Sequence, residues 1–241
     1  MLICESMLRR VCLGSILALT ACKPTIIEDP DLEPRPQADP ADDPLVEQEA
    51  VRVAIRQYAA ALGRHDVEAA AASVVADTFG YYEDIRIAAL RATREQLEGW
   101  DFVSVMMILQ VRSKIGRAEL EAVDGRRLFD VAVTEGLFGE DLDKVELDEI
   151  WIDEPGMIAQ LRLQGQPIVW LRKIDGRWRI DIPEMVRQLG PGIEAQARER
   201  FAADGKARTA YSLLEIGSQE FLDIAILDGP LELEGETGNA P

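Results

Sequence analysis

The side chains that could carry chemistry are sparse and unevenly spread along this chain of 241 residues. All three cysteines, Cys4, Cys12 and Cys22, fall at the start, so the rest of the chain has no thiol nucleophile, disulfide or cysteine metal site. The one histidine, His65, sits in a polar turn between two predicted helices, where a solvated turn residue is the better reading than a catalytic one. A lone histidine also excludes a His-rich zinc site. Among the acids, burial raises a carboxyl pKa and permits general-base chemistry, but none stands out. Asp148, Glu149, Asp153 and Asp181 lie on or beside predicted strands, and Trp151 and Trp170 could line a cavity with Asp148 and Asp181. Yet a chain with 44 acids places several there by chance, and core packing explains the tryptophans more readily. The phosphate-loop, dinucleotide, nucleophile-elbow, H-E-x-x-H and EF-hand patterns are all missing. The Asp-rich run over 39–43 is interleaved with proline and reads as solvated chain, so neither a metal nor a cofactor is expected.

Charge narrows the partners. With 26 Lys plus Arg against 44 Asp plus Glu, the net charge is -18, which disfavours nucleic acid and adsorption to anionic headgroups. Residues 46–227 hold 22 of the bases and 32 of the acids, so close to half of the excess lies in the two ends. That charge keeps the domain soluble more than it defines a binding surface.

The amino-terminal segment has the layout of a secretory signal: Arg9 and Arg10, a short apolar stretch from Val11 to Thr20, then small residues. The stretch is about half of the roughly 20 residues that span a bilayer. Its end, Leu19-Thr20-Ala21-Cys22, resembles the lipobox of bacterial lipoproteins. The resemblance implies cleavage before Cys22 and acylation of its thiol and new amine, giving a lipid-anchored protein of the cell envelope. Lys23, where an inner-membrane retention signal would have Asp, implies an outer-membrane protein facing the periplasm. The six residues before Met7 read as an upstream misassigned start. Residues 1–21 are thus expected to be a signal peptide, and 22–45 the acylated cysteine with a disordered Pro- and Asp-rich tether. Extended, that tether reaches on the order of 70 Å. It is either a spacer that presents a domain or merely a tolerated linker. Residues 228–241 read as an acidic disordered tail.

The body, residues 46–227, must position any site. Pro44 opens a helix with Val51, Ile55, Tyr58 and Leu62 on one face and Gly63 at its end. A second helix covers Val67 to Ala76. Further helices are expected over Glu83–Leu97 and Asp101–Ile115, the latter apolar on nearly all sides and so buried, followed by two shorter ones. From Val145 the period becomes two: a strand to Ile152 with a bulge near Asp148–Glu149, then Met157, Ala159, Leu161 and Leu163 on one face of the next strand. Pro167–Ile174 and Arg177–Ile182 are joined by Asp175-Gly176, a strong hairpin signal, with Arg177, Arg179 and Asp181 on the wet side. Helices follow at Glu184–Leu189, Gly192–Ala203 and Thr209–Leu227. This order describes an α+β fold: helices packed on an antiparallel sheet, with carboxy-terminal helices added.

The hairpin Leu171-Arg-Lys-Ile-Asp-Gly-Arg-Trp-Arg-Ile-Asp181, together with the helical opening and its Gly63-to-Asp66 turn, resembles the NTF2-like superfamily, which includes ketosteroid isomerase and the SnoaL-type cyclases. The resemblance implies a curved-sheet cone over Val46–Ile182, with an additional helical insert from Tyr81 to Phe138. The primary expectation is a lipid-anchored envelope protein whose domain binds or assembles rather than catalyses. Its partners would be the membrane through the acyl chains, and an envelope protein or a small apolar ligand. The alternative is a SnoaL- or ketosteroid-isomerase-type enzyme with a carboxylate in an open cone. A third is a purely structural envelope component.

Overall fold

The computed structural model describes residues 44–136, 149–201, 204–218 and 222–230. The leader, Cys22, the tether, Asp148 and residues 231–241 lie outside these. Helix α1 (Pro44–Gly63) buries Val51, Ile55, Tyr58 and Leu62 along one face. Beyond Gly63 the chain turns through His65 in the left-handed region, φ 53°. Asp66 then caps α2 (Val67–Ala72), accepting from Ala69 N at 3.1 Å. This helix stops at Ala72 rather than Ala76 because the next residues pair with the sheet. Ile180 N donates to Ser73 O at 2.8 Å and Val75 N to Ile180 O at 3.0 Å.

The expected helix over Glu83–Leu97 begins earlier and is divided. Helix α3 (Asp77–Arg91) ends where Ala92 turns extended, and Thr93 opens the single turn α4 (Arg94–Leu97) with a reciprocal cap to Gln96. Asp101 caps α5 (Phe102–Lys114) by accepting from Ser104 N at 2.8 Å. This helix is buried on most sides, as its composition requires, and packs against α3. Two short helices follow, α6 (Arg117–Ala122) and α7 (Gly125–Thr134). At Gly125 a Cβ would lie 2.4 Å from both Glu83 N and Phe79 O, so α3 and α7 meet backbone to backbone where only glycine fits.

The sheet is an open antiparallel meander in the order β1 (Glu149–Ile152), β2 (Ile158–Leu163), β3 (Gln166–Ile174), β4 (Arg177–Ile180). The Asp175-Gly176 turn closes β3 onto β4 with positive φ at both residues, 51° and 74°. A bulge is present at Leu161–Arg162, between β2 and β3, a place the sequence pattern did not mark. Ile150, Ala159, Leu161, Val169, Leu171, Trp178 and Ile180 are buried and join the helices in one core. Met157, expected beside Ala159 and Leu161, precedes the strand and is exposed. The architecture is thus α+β: helices, a four-stranded antiparallel sheet, then helices.

After β4 the structure departs further from the pattern. A single helix, α8 (Ile182–Arg200), runs through Gly190-Pro191-Gly192 where a break was expected. Proline removes one helical hydrogen bond. The helix continues because Val186, Gly190 and Ala197 are buried on it, with Gly190 beside Asp101 and the first turn of α5. The expected helix Thr209–Leu227 is instead α9 (Lys206–Ser218) and a 3-10 turn (Ile224–Leu227) capped by Asp223. Glu98 starts α9, accepting from Lys206 N at 2.7 Å and Ala207 N at 3.0 Å.

Arg112 of α5 holds three of these elements together. Fully buried, its guanidinium donates to Ala88 O, Ala89 O and Ala92 O at the end of α3, and to Ile226 O and Leu227 O of the 3-10 turn. These carbonyls lie at the negative end of the α3 dipole, where Ala88 O also accepts from Ala92 N at 2.9 Å. Burial lowers the Arg112 pKa to about 10, which leaves it charged at neutral pH. Replacing Arg112 by Met should cost on the order of 4 kcal/mol in urea unfolding, because it orphans several buried acceptors. Arg112→Lys should recover less than half of that loss; a Met variant as stable as the parent would refute the role.

Candidate functional site

The residues singled out from the sequence do not converge. Trp151 is 40% exposed on the outer face of the edge strand β1, with the Arg162 guanidinium 5.1 Å from its ring centroid. Trp170 is buried on β3, beside Gln160 of β2 and facing away from Val169 and Leu171. Asp181 is buried but fully employed. It accepts from Glu184 N at 3.2 Å as the cap of α8, and from Arg172 Nη2 at 2.6 Å and Nε at 2.9 Å. Asp148 lies outside the described residues. Of the other acids weighed, Asp153 Oδ1 closes the β1–β2 turn by accepting from Met157 N and Ile158 N, and Glu149 is exposed near Arg162. His65 Nδ1 lies 3.0 Å from Val133 O and so ties the first turn to α7.

The inner face of the sheet, where an open cone would place a reacting carboxylate, presents apolar side chains packed into the core. A carboxylate, hydroxyl and phenol do meet between α3 and α5, where Ser104 Oγ lies 2.5 Å from Asp101 Oδ2 and 2.7 Å from Tyr81 Oη. Ser104 is fully buried, and burial pushes the Tyr81 phenol above its ordinary range, so this cluster fixes the start of α5. Among the described residues, no three or more His, Cys, Asp or Glu side chains are grouped to hold a metal ion. Nor is any described helix long and apolar enough to cross a membrane.

A groove opens elsewhere on the surface. Between α1, α2 and the β3–β4 hairpin runs a groove of about 760 Å³. Small side chains, among them Ala50, Ala54, Ala69 and Ala72, give it an apolar floor. Arg56 of α1, Arg64 in the turn after it, and Arg177 and Arg179 of β4 line it, with no acidic residue among the lining side chains. Arg56 pairs with Glu49 and Arg64 loosely with Asp66, both at the surface. Arg177 and Arg179 have no ion-pair partner among the described residues. The sequence placed both arginines on the wet side of β4, but their meeting with α1 needs the tertiary fold.

The groove wall is clamped by Glu47. Its carboxylate accepts from Lys173 Nζ at 2.8 Å and from Trp178 Nε1 at 3.0 Å, pinning the hairpin to the first turn of α1. The Lys173 hydrogen bond, with that of Trp178, holds the Glu47 carboxyl below its ordinary value of 4.5 against the opposing effect of burial. A carboxyl with a depressed folded pKa contributes stability above its unfolded pKa and loses it as pH falls through the folded one. Glu47→Gln should therefore cost about 1 kcal/mol at pH 7, a modest figure for a partly exposed pair. The gap between variant and parent should narrow as pH falls below 4.5 and close once the carboxyl is protonated in the folded protein, where both carry a neutral side chain. Thermal melts at neutral and at acid pH check this, and an equal gap at both would exclude the ionic clamp.

Compared with protein-family models, with curated proteins and with solved structures, the chain matches none.

Proposed function

We propose that this protein is a lipid-anchored component of the bacterial cell envelope whose α+β body is a non-catalytic binding module. Its site is the groove between α1, α2 and the β3–β4 hairpin, and its ligand an anion. The groove itself carries the reading. In a chain of net charge -18, four arginines line one apolar-floored channel from which acids are missing. Such a local reversal of sign draws a partner of the opposite charge.

The lipobox-like Leu19-Thr20-Ala21-Cys22 and the proline-rich tether support an anchored protein, at the outer membrane and facing the periplasm. The Asp175-Gly176 hairpin and the helical opening support kinship with NTF2-like domains, with the cone face given over to core packing. The enzymatic alternative has less behind it. It calls for a carboxylate in an apolar cavity, and Asp181 instead caps a helix and pairs with Arg172.

Two outcomes are expected. Cys22→Ser should move the protein from the membrane fraction to the soluble fraction and abolish fatty-acid labelling; retained labelling would refute acylation there. For the groove, the full chain should bind heparin, used as a generic polyanion, with affinity that falls as salt rises. The double variant Arg177→Glu with Arg179→Glu should weaken that binding about tenfold or more, a loss of the size measured for close charge pairs at interfaces. Undiminished binding by a folded double variant would sink the site.

A further inference from the structure

Resting on the reading of the groove as an anion site, we infer that its occupant is an extended acidic segment of a partner protein. The segment lies along the free edge of β4 and hydrogen bonds to the backbone of Trp178. The pairing of the sheet leads there. Lys173 N donates to the O of Met157, the residue before β2, so the backbone polar groups of Lys173 face away from β4. Its β4 neighbour across the ladder is Trp178, which makes this a non-hydrogen-bonded pair. Trp178 therefore turns its own N–H and C=O outward, off the edge of the sheet and on the side of the groove it lines.

The same edge already accepts a strand. Two residues further on, Ile180 exchanges both its backbone bonds with Ser73 and Val75 in a parallel bridge. That added strand begins only where the chain leaves α2, so the edge is left open at Trp178. A guest segment there supplies the missing partners by the β-augmentation that exposed sheet edges favour.

Side-chain chemistry selects the guest. In an extended segment, alternate side chains point to opposite sides. One set would meet Arg177 and Arg179, the other the alanine floor of Ala50, Ala54 and Ala72. Acidic residues alternating with small apolar ones satisfy both. Arg56 and Arg64 remain available because their existing pairs are solvent-exposed and weak. An anionic lipid headgroup would answer the arginines but not the outward N–H and C=O of Trp178.

The test titrates the full chain in detergent with a synthetic peptide of about ten residues, a typical strand length at the upper end, alternating Glu and Val. The same peptide N-methylated at every backbone nitrogen, phosphatidylglycerol vesicles and heparin serve as the other probes. The unmodified peptide should bind and slow hydrogen exchange at the Trp178 amide. N-methylation should weaken binding about tenfold or more, the worth of one or two backbone hydrogen bonds. Arg177→Glu with Arg179→Glu should abolish peptide binding with an unchanged melting temperature, since neither side chain has an ion-pair partner among the described residues. Equal affinity for the methylated peptide, or peptide binding without protection at Trp178, would overturn the strand assignment. Binding of heparin or vesicles without the peptide would also overturn it, while leaving the anion site standing. Binding of none of the four would remove both.

Discussion

The architecture turns on one buried cation. Arg112 is met mainly by backbone carbonyls from the end of α3 and from the carboxy-terminal 3-10 turn, with the Asp228 charge also acting on it. A guanidinium suits this position because its planar fork can address several acceptors at once, whereas an ammonium is a single compact point. Desolvating it is costly, and that cost is offset only while all the acceptors are in place. Helix α3, the 3-10 turn and the central α5 are therefore not independent of one another. They share one polar centre in an otherwise apolar interior, and a fold that places them elsewhere strands a charge.

With the interior closed in this way, the described inner face of the sheet is given over to core packing. Leu161, Leu171, Val169 and Ile180 belong to the same core as the helices, so chemistry moves to the rim. There the Glu47, Lys173 and Trp178 clamp does for the groove what Arg112 does for the interior: it fixes elements of distant sequence with a charge held by specific donors. The difference is solvent. Arg112 is sealed from solvent, while the rim ion pair is part-exposed and contributes modestly. A binding surface can tolerate that softness where a core cannot.

Much of the framework was legible from local signals. Asp175-Gly176 marked the hairpin, Pro44 and Gly63 bounded the first helix, and the apolar run of α5 foretold its burial. Other features were misread because they depend on contacts between distant residues. Gly190-Pro191-Gly192 looks like a break and is not one, since burial against α5 outweighs local preference. The short α2 reflects capture of Ser73–Val75 by β4, which no helical pattern discloses. Arg112 did carry a signal: it continues the buried series Val105, Ile108 and Leu109 at helical spacing, so a cation stood on the apolar face. The candidate carboxylates were read from strand position alone, and Asp181 shows the weakness of that criterion. Position beside a strand also describes a helix cap.

The bridge between Ser73–Val75 and Ile180 has a consequence for the order of folding. The helices before the sheet and the meander itself are each built largely from neighbours in sequence, contacts that form at low entropic cost. The bridge and the Glu47 clamp instead each close a loop of more than a hundred residues, and both do so on β4 or its turn partner. The two halves can therefore take shape separately and join late, with β4 as the seam. Because the groove consists of α1 and α2 on one side and β4 on the other, it comes into existence only at that joining. A chain that has not finished folding has no such channel, and its arginines are then merely scattered charges.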